Sequence, residues 1–344
     1  NSTLNYYAVS MDSSGNISQC STPVEFTHDN TAPSSPNLVL ATSSPSSSIT
    51  TPSFTYTKDV NTAFYLLTNC NQSDIDKSSS SITSTSTGSI SADLPQQNST
   101  QVYYGITVDP AGNISDCSTG VAFTHDNTPP ATPTLSEKDL SPSKDITEPK
   151  FNFTKDPNTA LYLINDCTTN KINQINFNQT DVNQLTSGVA TSSVVLDNET
   201  KPYFAVSIDQ SGNSSGCSNE ISFTHDSIAS APNITLTNPN ANEGEETNLT
   251  FSISDTETSS TIYFFAGTCT DETILGSIAQ TTSTTITIDM ENLLELGIAK
   301  NIYAIQEDTA GNISKCSSSI SYTLIDETPP NKITDLALLT TPNP

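Results

Sequence analysis

Short stretches in which apolar and polar residues alternate recur along the whole chain. Residues 104–109 read YGITVD and residues 204–209 read FAVSID, with an apolar or aromatic side chain at every second position. A period of two predicts β-strands. A Gly-Asn pair follows each stretch, in PAGN at 110–113 and in QSGN at 210–213, and further alternation follows the turn. Each segment is therefore predicted to end in two antiparallel strands joined by a tight turn.

A second hairpin is predicted upstream of the first. Residues 52–70 read PSFTYTKDVNTAFYLLTNC and align with PKFNFTKDPNTALYLINDC at 149–167, which predicts a strand, a turn at the KDVN or KDPN segment, and another strand. About seven short strands per hundred residues, with turn signals between them and no recurring helix, predict an all-β fold of antiparallel β-sandwiches.

One phrase occurs four times, as YAVSMDSSGNISQCS, YGITVDPAGNISDCS, FAVSIDQSGNSSGCS and YAIQEDTAGNISKCS. A period of nearly one hundred residues is that of a whole domain. We predict repeat one at 29–126, repeat two at 127–226 and repeat three at 227–326. Residues 1–28 then match the end of a preceding repeat, and residues 327–344 match a linker and the start of a next one. We expect a window from a longer polypeptide.

The strongly negative net charge of the chain argues against anionic partners. The chain carries 37 Asp and Glu against 11 basic residues, all lysine, for a net charge of −26. Phosphate contacts need clusters of Lys or Arg, so neither a nucleic acid nor an anionic membrane surface is expected as a partner. No apolar run is long enough to span a bilayer. Acidity of this kind fits solubility, cation binding or an extracellular setting.

The seven cysteines fall into two periodic series. Each complete repeat then holds one pair, and the predicted disulfides are Cys70–Cys117, Cys167–Cys217 and Cys269–Cys316. Cys20 stays unpaired, because its expected partner lies upstream. One pair per repeat at a steady spacing indicates a disulfide framework and an oxidising compartment. Free buried thiols and a metal site are the alternatives, but two cysteines without further ligands do not complete a zinc site.

Linkers rich in proline separate the repeats, for example THDNTPPATP from Thr124 and IDETPPNK from Ile325. Together with the repeated phrase, whose four copies share D-x-x-G-N-x-S-x-C-S, they resemble the bacterial immunoglobulin-like repeats of giant secreted surface proteins and adhesins, which are similar to fibronectin type III modules. The resemblance covers the whole chain. It implies tandem immunoglobulin-like domains and, since similar adhesin repeats use calcium at their linkers, a cation at each junction.

Two sets of aspartates are candidate calcium ligands. One set lies at the junctions and the other precedes each Gly-Asn turn: Asp29, Asp126, Asp226 and Asp326, and Asp109, Asp209 and Asp308. Calcium takes six to eight oxygens, so a junction site would combine the linker aspartate, a carboxylate of the neighbouring repeat and main-chain carbonyls. The alternative is that each aspartate only caps its turn. No cofactor is required by either interpretation.

The three histidines, His28, His125 and His225, each precede a junction aspartate, and Ile325 takes that place in the last repeat. An apolar residue at the equivalent position predicts that the imidazole packs against the next repeat. No nucleophile elbow, phosphate loop or metalloprotease motif occurs, and each histidine is a copy of the same repeat position. The protein is therefore not expected to be an enzyme.

Three functions remain open. The first is a structural segment of a long extracellular bacterial surface protein, a semi-rigid stalk or fibre for adhesion whose partners are its neighbouring repeats. The second is the body of a self-assembling filament or sheath, in which other copies are the partners. The third is recognition of a glycan or protein through variable loops, above all in repeat three, which has SISDTETSS in place of the KDxN turn.

Overall fold

The computed structural model describes residues 1–75, 83–93, 96–193, 196–269, 274–279 and 284–334. The predicted start of a next repeat, at 327–344, lies partly outside these residues. By the density of internal contacts the chain divides into two compact units, residues 1–134, 154–187 and 205–218, and residues 135–153, 188–204 and 219–344. The elements of repeat two are divided between these units. The repeat boundaries inferred from the sequence stay a prediction.

The first unit begins with a hairpin and continues through repeat one. Its strands are β1 (Ser2–Tyr6), β2 (Val24–His28), β3 (Asn37–Leu40), β4 (Ser53–Thr57), β5 (Ala63–Leu67), β6 (Thr87–Ser91), β7 (Ser99–Val108) and β8 (Val121–His125). Strands β1 and β2 pair antiparallel, from Ser2 opposite His28 to Tyr6 opposite Val24. A 3₁₀ turn spans Gln72–Asp74.

Repeat two has six strands and two short helical turns. The strands are β9 (Thr134–Glu137), β10 (Lys150–Thr154), β11 (Thr159–Ile164), β12 (Ser187–Thr191), β13 (Thr200–Asp209) and β14 (Ile221–Thr224). Helix α1 spans Thr169–Ile172, and a 3₁₀ turn spans Gln179–Asp181. The one-turn helix α1 lies in the connection between β11 and β12.

Repeat three has eight strands. They are β15 (Asn233–Asn238), β16 (Glu243–Gly244), β17 (Asn248–Ser254), β18 (Thr261–Ala266), β19 (Ile274–Ala279), β20 (Thr285–Asp289), β21 (Ala299–Glu307) and β22 (Ile320–Leu324).

Two sheets form in every repeat, and repeat three adds the strands β16 and β19 to the order that repeats one and two share. Repeat one has β3-β4-β6 and β5-β7-β8, and repeat two has β12-β10-β9 and β11-β13-β14. Repeat three has β15-β17-β20 and a larger sheet, β16-β22-β21-β18-β19. In repeats one and two, the first, second and fourth strands form one sheet, and the third, fifth and sixth form the other. This is the order of an immunoglobulin-like or fibronectin type III sandwich. The all-β tandem fold predicted from the sequence is confirmed.

The core of repeat one lies between its two sheets. Leu38, Phe54, Phe64, Tyr103 and Phe123 are all buried there, one from each of five strands. The rings of Phe54 and Tyr103 lie 4.9 Å apart in a tilted arrangement. Because the protein has no tryptophan, these Phe and Tyr side chains supply most of the bulk of the core.

A second apolar cluster covers the opposite face of sheet β5-β7-β8. Ala63, Tyr65, Ile106 and Val108 are buried in it, and Cys117 packs against it. The second half of β7 is consequently buried on both faces. The sequence placed Ile106 and Val108 on the apolar side of the strand, which is correct, but that side faces this second cluster and the main core is on the other.

The tyrosines of the fifth strand are not all equivalent. Tyr103 and Tyr203 are each 1% exposed, and the hydroxyl of Tyr103 donates to the main-chain oxygen of Asp93 at 3.5 Å. Tyr303 of repeat three does not stand at this position. Ile302 is the buried residue there, and Tyr303 is only partly buried one position later.

A buried lysine holds the KDxN turn in repeats one and two. Lys58 is 8% exposed, and its Nζ donates to the main-chain oxygens of Thr62, Thr83 and Asp59 at 2.9, 3.2 and 3.3 Å. Lys155 makes the equivalent three bonds. Burial lowers the pKa of Lys58, and the carboxylate of Asp59 opposes that shift. Three carbonyl acceptors make the burial of this charge tolerable.

In repeat three the corresponding turn is held by a buried acceptor, where repeats one and two use a buried donor. Its turn has no lysine, and Gln306 is fully buried on β21 instead. The Oε1 atom of Gln306 accepts from the main-chain N–H of Glu257 at 3.0 Å and from Oγ of Ser260 at 3.1 Å. The departure of SISDTETSS from the KDxN pattern is thus accompanied by a substitute support for the turn.

Candidate functional site at the repeat junctions

Each Gly-Asn turn is closed by the aspartate that precedes it. In repeat one, Oδ1 of Asp109 accepts from the main-chain N–H of Asn113 at 2.9 Å, and Oδ2 accepts from Nδ2 of Asn113 at 2.8 Å. Gly112 between them has φ of +89°, a conformation that favours glycine. Asp12, Asp209 and Asp308 make the same two bonds to the asparagines of their own turns.

These bonds set the acidity of the turn aspartate. Partial burial on its own would raise the pKa of Asp109. Hydrogen bonds from the side chain and N–H of Asn113 and from the N–H groups of Ala111 and Gly112 outweigh it, so the pKa is lowered. The carboxylate is held in its charged form, as an anion surrounded by donors.

In the three complete repeats, the second amide hydrogen of the turn asparagine reaches the junction that precedes the repeat. Nδ2 of Asn213 donates to the main-chain oxygen of Asp126 at 2.9 Å. The equivalent bonds join Asn113 to Asp29 at 3.2 Å and Asn312 to Asp226 at 2.7 Å. One asparagine therefore connects the predicted turn aspartate and the predicted junction aspartate.

The junction aspartate is also bonded to the repeat before it. The main-chain N–H of Asp126 donates to the oxygen of Ser46 at 3.1 Å, and that of Asp226 donates to the oxygen of Ser143 at 3.0 Å. Its side chain caps the linker, since Oδ1 of Asp126 accepts from the N–H of Thr128 at 2.9 Å. Asp29, Asp226 and Asp326 cap their linkers in the same way.

A third acidic residue fastens the linker further along. Oδ2 of Asp59 accepts from the main-chain N–H of Ser34 at 2.7 Å. Asp156 makes this bond to Ala131, and Glu257 makes it to Ser230. These three residues were not predicted from the sequence to lie at the junctions. Their recurrence at one place in the turn between the second and third strands was the available signal.

The preceding repeat contributes an asparagine in the left-handed conformation. Asn98 has φ of +52°, and its Oδ1 accepts from the N–H of Asn127 at 2.7 Å. Asn198 accepts equivalently from Ser227, at 2.6 Å. In repeat three, Oε1 of Glu245 accepts from the N–H of Glu327 at 2.7 Å. The linker is thus hydrogen-bonded to the repeats on both of its sides.

The histidines support this arrangement from within their own repeat. His125 is 2% exposed, and its Nδ1 accepts from the main-chain N–H of Asn98 at 3.2 Å. His225 does the same for Asn198, at 3.0 Å. The imidazoles of His125 and His225 therefore buttress the asparagine that binds the linker. Their packing against the next repeat stays a prediction.

The two serines of the S-x-C-S ending, one on each side of the cysteine, were also not predicted to have a structural role. Oγ of Ser115 accepts from the N–H of Thr107 at 3.0 Å, and Oγ of Ser118 accepts from the N–H of Gly105 at 2.8 Å. Both serines recur in every copy of the phrase, and their partners are equivalent. These bonds explain the S-x-C-S ending, because they keep the segment after the turn attached to the long strand.

Six cysteines are joined in three disulfides, Cys70–Cys117, Cys167–Cys217 and Cys269–Cys316. Cys20 is free and exposed. In repeat one the bond ties the segment after β5 to the segment after the Gly-Asn turn, over the second apolar cluster. This bond therefore closes the outer face of sheet β5-β7-β8.

One junction brings three carboxylates together. Ligand oxygens of Asp226, Glu257 and Asp308 lie within 4.8 Å of one another, and among the described residues no other such group of three occurs. Asp226 and Asp308 belong to the predicted calcium ligands and Glu257 does not. Asp29, Asp109, Asp126, Asp209 and Asp326 join no such group within that part of the chain. All three clustered carboxylates accept hydrogen bonds from the protein. Calcium at the junctions stays a prediction.

No protein-family model matches the chain, and no curated protein does. Among solved structures, the FN1–FN3 domains of chicken CNTN1 are 9% identical, with 85% of this chain and 98% of that chain covered and a TM-score of 0.28. Fibronectin(III)-like modules of Clostridium thermocellum CbhA are 14% identical, covering 59% of this chain and 100% of that chain at a TM-score of 0.28. The human OSCAR ligand-binding domain is 11% identical, covering 56% and 98% at 0.31. With TM-scores this low, these likenesses carry no argument.

Within the described residues, no helix is both long enough and apolar enough to cross a membrane. Disulfide-bonded sandwich domains are typical of extracellular proteins.

Proposed function

We propose that the chain is a structural segment of a long extracellular bacterial surface protein, in which stiffly joined sandwich domains form a stalk for adhesion. The single observation that carries this proposal is the bonding of the junction aspartate. Asp126 donates its N–H to Ser46 of the preceding repeat and offers its carbonyl oxygen to Asn213 of the following one. A linker held from both sides resists bending.

The same bonding pattern occurs at the next junction. Asp226 donates to Ser143 and accepts from Asn312. A device repeated at successive junctions serves the array as a whole, whereas a ligand site would need to occur only once. Proline in the linkers restricts the backbone further. We assign the chain no catalytic role, since its recurring polar residues are engaged in turns and junctions.

Small-angle X-ray scattering of the 344-residue chain tests the proposal. The double variant Asn213→Ala and Asn312→Ala removes one bond at each of two junctions, and we expect a broader distribution of interatomic distances than in the wild type. Asn16→Ala is the matched control, because Asn16 closes the turn on Asp12 at the end of residues 1–28. A wild-type chain that scatters like a set of freely jointed domains would overturn the stalk.

Sedimentation at increasing protein concentration separates the stalk from the filament. A stalk segment stays monomeric, whereas a filament body forms multimers. If the chain forms multimers, the filament becomes the better account of its function and the stalk is rejected.

A further inference from the structure

A cleft of about 520 Å³ lies beside strand β11. Residues 162–166, from β11 and its end, form one wall, and Lys171 with residues 174–176 forms the other. Strand β11 is the edge strand of sheet β11-β13-β14. The cleft therefore opens along the backbone of an edge strand, where N–H and C=O groups can pair with another chain.

In repeat three, a further strand pairs with the edge that corresponds to this one. Strand β18 corresponds to β11, since both precede the first cysteine of their disulfides, and β19 pairs with it antiparallel. Phe264 and Phe265 pair with Gly276 and Ile274. In repeat two, Tyr162 and Leu163 stand at the places of these two phenylalanines and line the cleft. Within the described residues, main-chain pairing on this edge of β11 is an isolated bridge between Thr159 and Asn183. The hydroxyl of Tyr162 also bonds to Asn178 and Asp181.

The walls of the cleft select the chemistry of an occupant. Leu163, Ile164 and Ile175 are partly buried aliphatic side chains that favour an aliphatic strand. Lys171 is exposed and forms no ion pair within the described part of the chain. In a protein of net charge −26, a cation without an anionic partner attracts a carboxylate on the incoming chain.

We propose that this cleft binds an extended strand of a separate polypeptide that contains both aliphatic and small residues, with an acidic residue before them. The strand adds to the edge of β11 through main-chain hydrogen bonds, in the manner of β-augmentation. Residues 271–279 of this chain, DETILGSIA, have this chemistry. Their own strand, β19, is already paired with β18, so a second copy is not the expected donor. This inference is independent of the stalk.

A synthetic fluorescent peptide of sequence DETILGSIA, added to the whole 344-residue chain, tests the proposal by anisotropy. We expect saturable binding at one site. Lys171→Glu should weaken it about fivefold or more, because a favourable exposed charge contact becomes repulsive. Lys150→Glu, at an exposed lysine on β10 outside the cleft, should leave it unchanged. Both positions are exposed, so neither substitution should prevent folding. Equal weakening by both variants would overturn the site.

Two further measurements test for strand pairing. A peptide with proline in place of its glycine cannot donate the main-chain hydrogen bond and should bind about tenfold more weakly or not at all. Hydrogen exchange of amides in Tyr162–Ile164 should slow when the original peptide binds. Unchanged exchange, or equal binding of the proline peptide, would refute β-augmentation. A chain that dimerises alone and is dissociated by the peptide would make a second copy the occupant and overturn the proposal of a separate polypeptide.

Discussion

The main-chain oxygen of Asp126 accepts a hydrogen bond of 2.9 Å from the side-chain amide of Asn213, which lies 87 residues later in the chain. The other hydrogen of that amide is donated to Asp209 at 2.8 Å. The turn that ends the long strand is thereby connected to the linker that begins the repeat. Integrity of the turn and attachment of the linker depend on one side chain.

Replacing Asn213 by alanine should destabilise the protein by about 1–2 kcal/mol, because it removes two side-chain hydrogen bonds at a partly buried site. Urea unfolding measures this loss. Asn16→Ala removes the bond to the turn aspartate in residues 1–28 and is the matched control. A loss as large in the control as in Asn213→Ala would show that the junction bond contributes nothing.

Replacing both Cys70 and Cys117 by serine should destabilise repeat one by about 3–4 kcal/mol, because the closed loop of the unfolded chain is released. Hydrogen exchange followed by mass spectrometry reports each repeat separately, and faster exchange should be confined to repeat one. Cys20→Ser should have no effect, since that cysteine is free and exposed. Faster exchange in repeat three as well would contradict independent unfolding.

Gly105→Ala should cost about 1–3 kcal/mol, through overpacking of the core of repeat one. A Cβ atom at Gly105 would lie 2.7 Å from the ring of Phe64, so the ring must move. At Gly276 the nearest side-chain atom to such a Cβ is 3.6 Å away, which is an ordinary contact. Thermal unfolding should therefore distinguish the two variants, with Gly276→Ala close to wild type.

Lys58→Met should destabilise repeat one by about 1–3 kcal/mol, because buried carbonyl oxygens of the KDxN turn lose their donor. Nζ of Lys58 bonds three such oxygens, and the closest, on Thr62, is 2.9 Å away. Lys138→Met, at an exposed position, serves as the control in the same denaturation assay. If Lys58→Met lowers the free energy of unfolding no more than Lys138→Met does, water donates to these carbonyl oxygens in place of the ammonium group.

Acid should weaken repeat one through Asp109. Its pKa is lowered from 3.8 in the folded state, so its contribution is present above that value and is lost as the pH falls through the lowered one. Free energies of unfolding measured from about pH 5 down to about pH 2 should therefore fall less steeply in Asp109→Asn than in the wild type. Asn113→Ala, which removes the side-chain donor to the same carboxylate and keeps the main-chain N–H, should flatten the profile in part. An unchanged slope in both variants would contradict this origin.

The sequence was sufficient for the class of fold, because alternation and turn residues give the order and length of strands. It could not say which face of a strand meets the main core. Ile106 and Val108 are more apolar than Gly105 and Thr107, yet it is Gly105 that faces Phe64. A strand buried on both faces has no polar side to mark the outside, and the second cluster forms only when the segment joined by the disulfide folds over it.

The junction was predicted in part. Repetition identified the aspartates, because four copies align without gaps around the Gly-Asn pair. The partners of the linker were harder to find, since Asn98 and Asp156 lie in different loops and meet the linker only after folding. The same ungapped alignment places Tyr303 opposite Tyr104 and Ile302 opposite Tyr103, which agrees with the burial of these residues.

The distribution of junction parts within a repeat bears on how such an array can change in length. Repeat two carries, in Asn213, the donor for the junction before it and, in Ser143 and Asn198, the acceptors for the junction after it. Any repeat built this way can follow any other without a compensating substitution in its neighbour. Unequal recombination that inserts or deletes one whole period would leave every junction intact, so selection can tune the length of the protein by copy number alone.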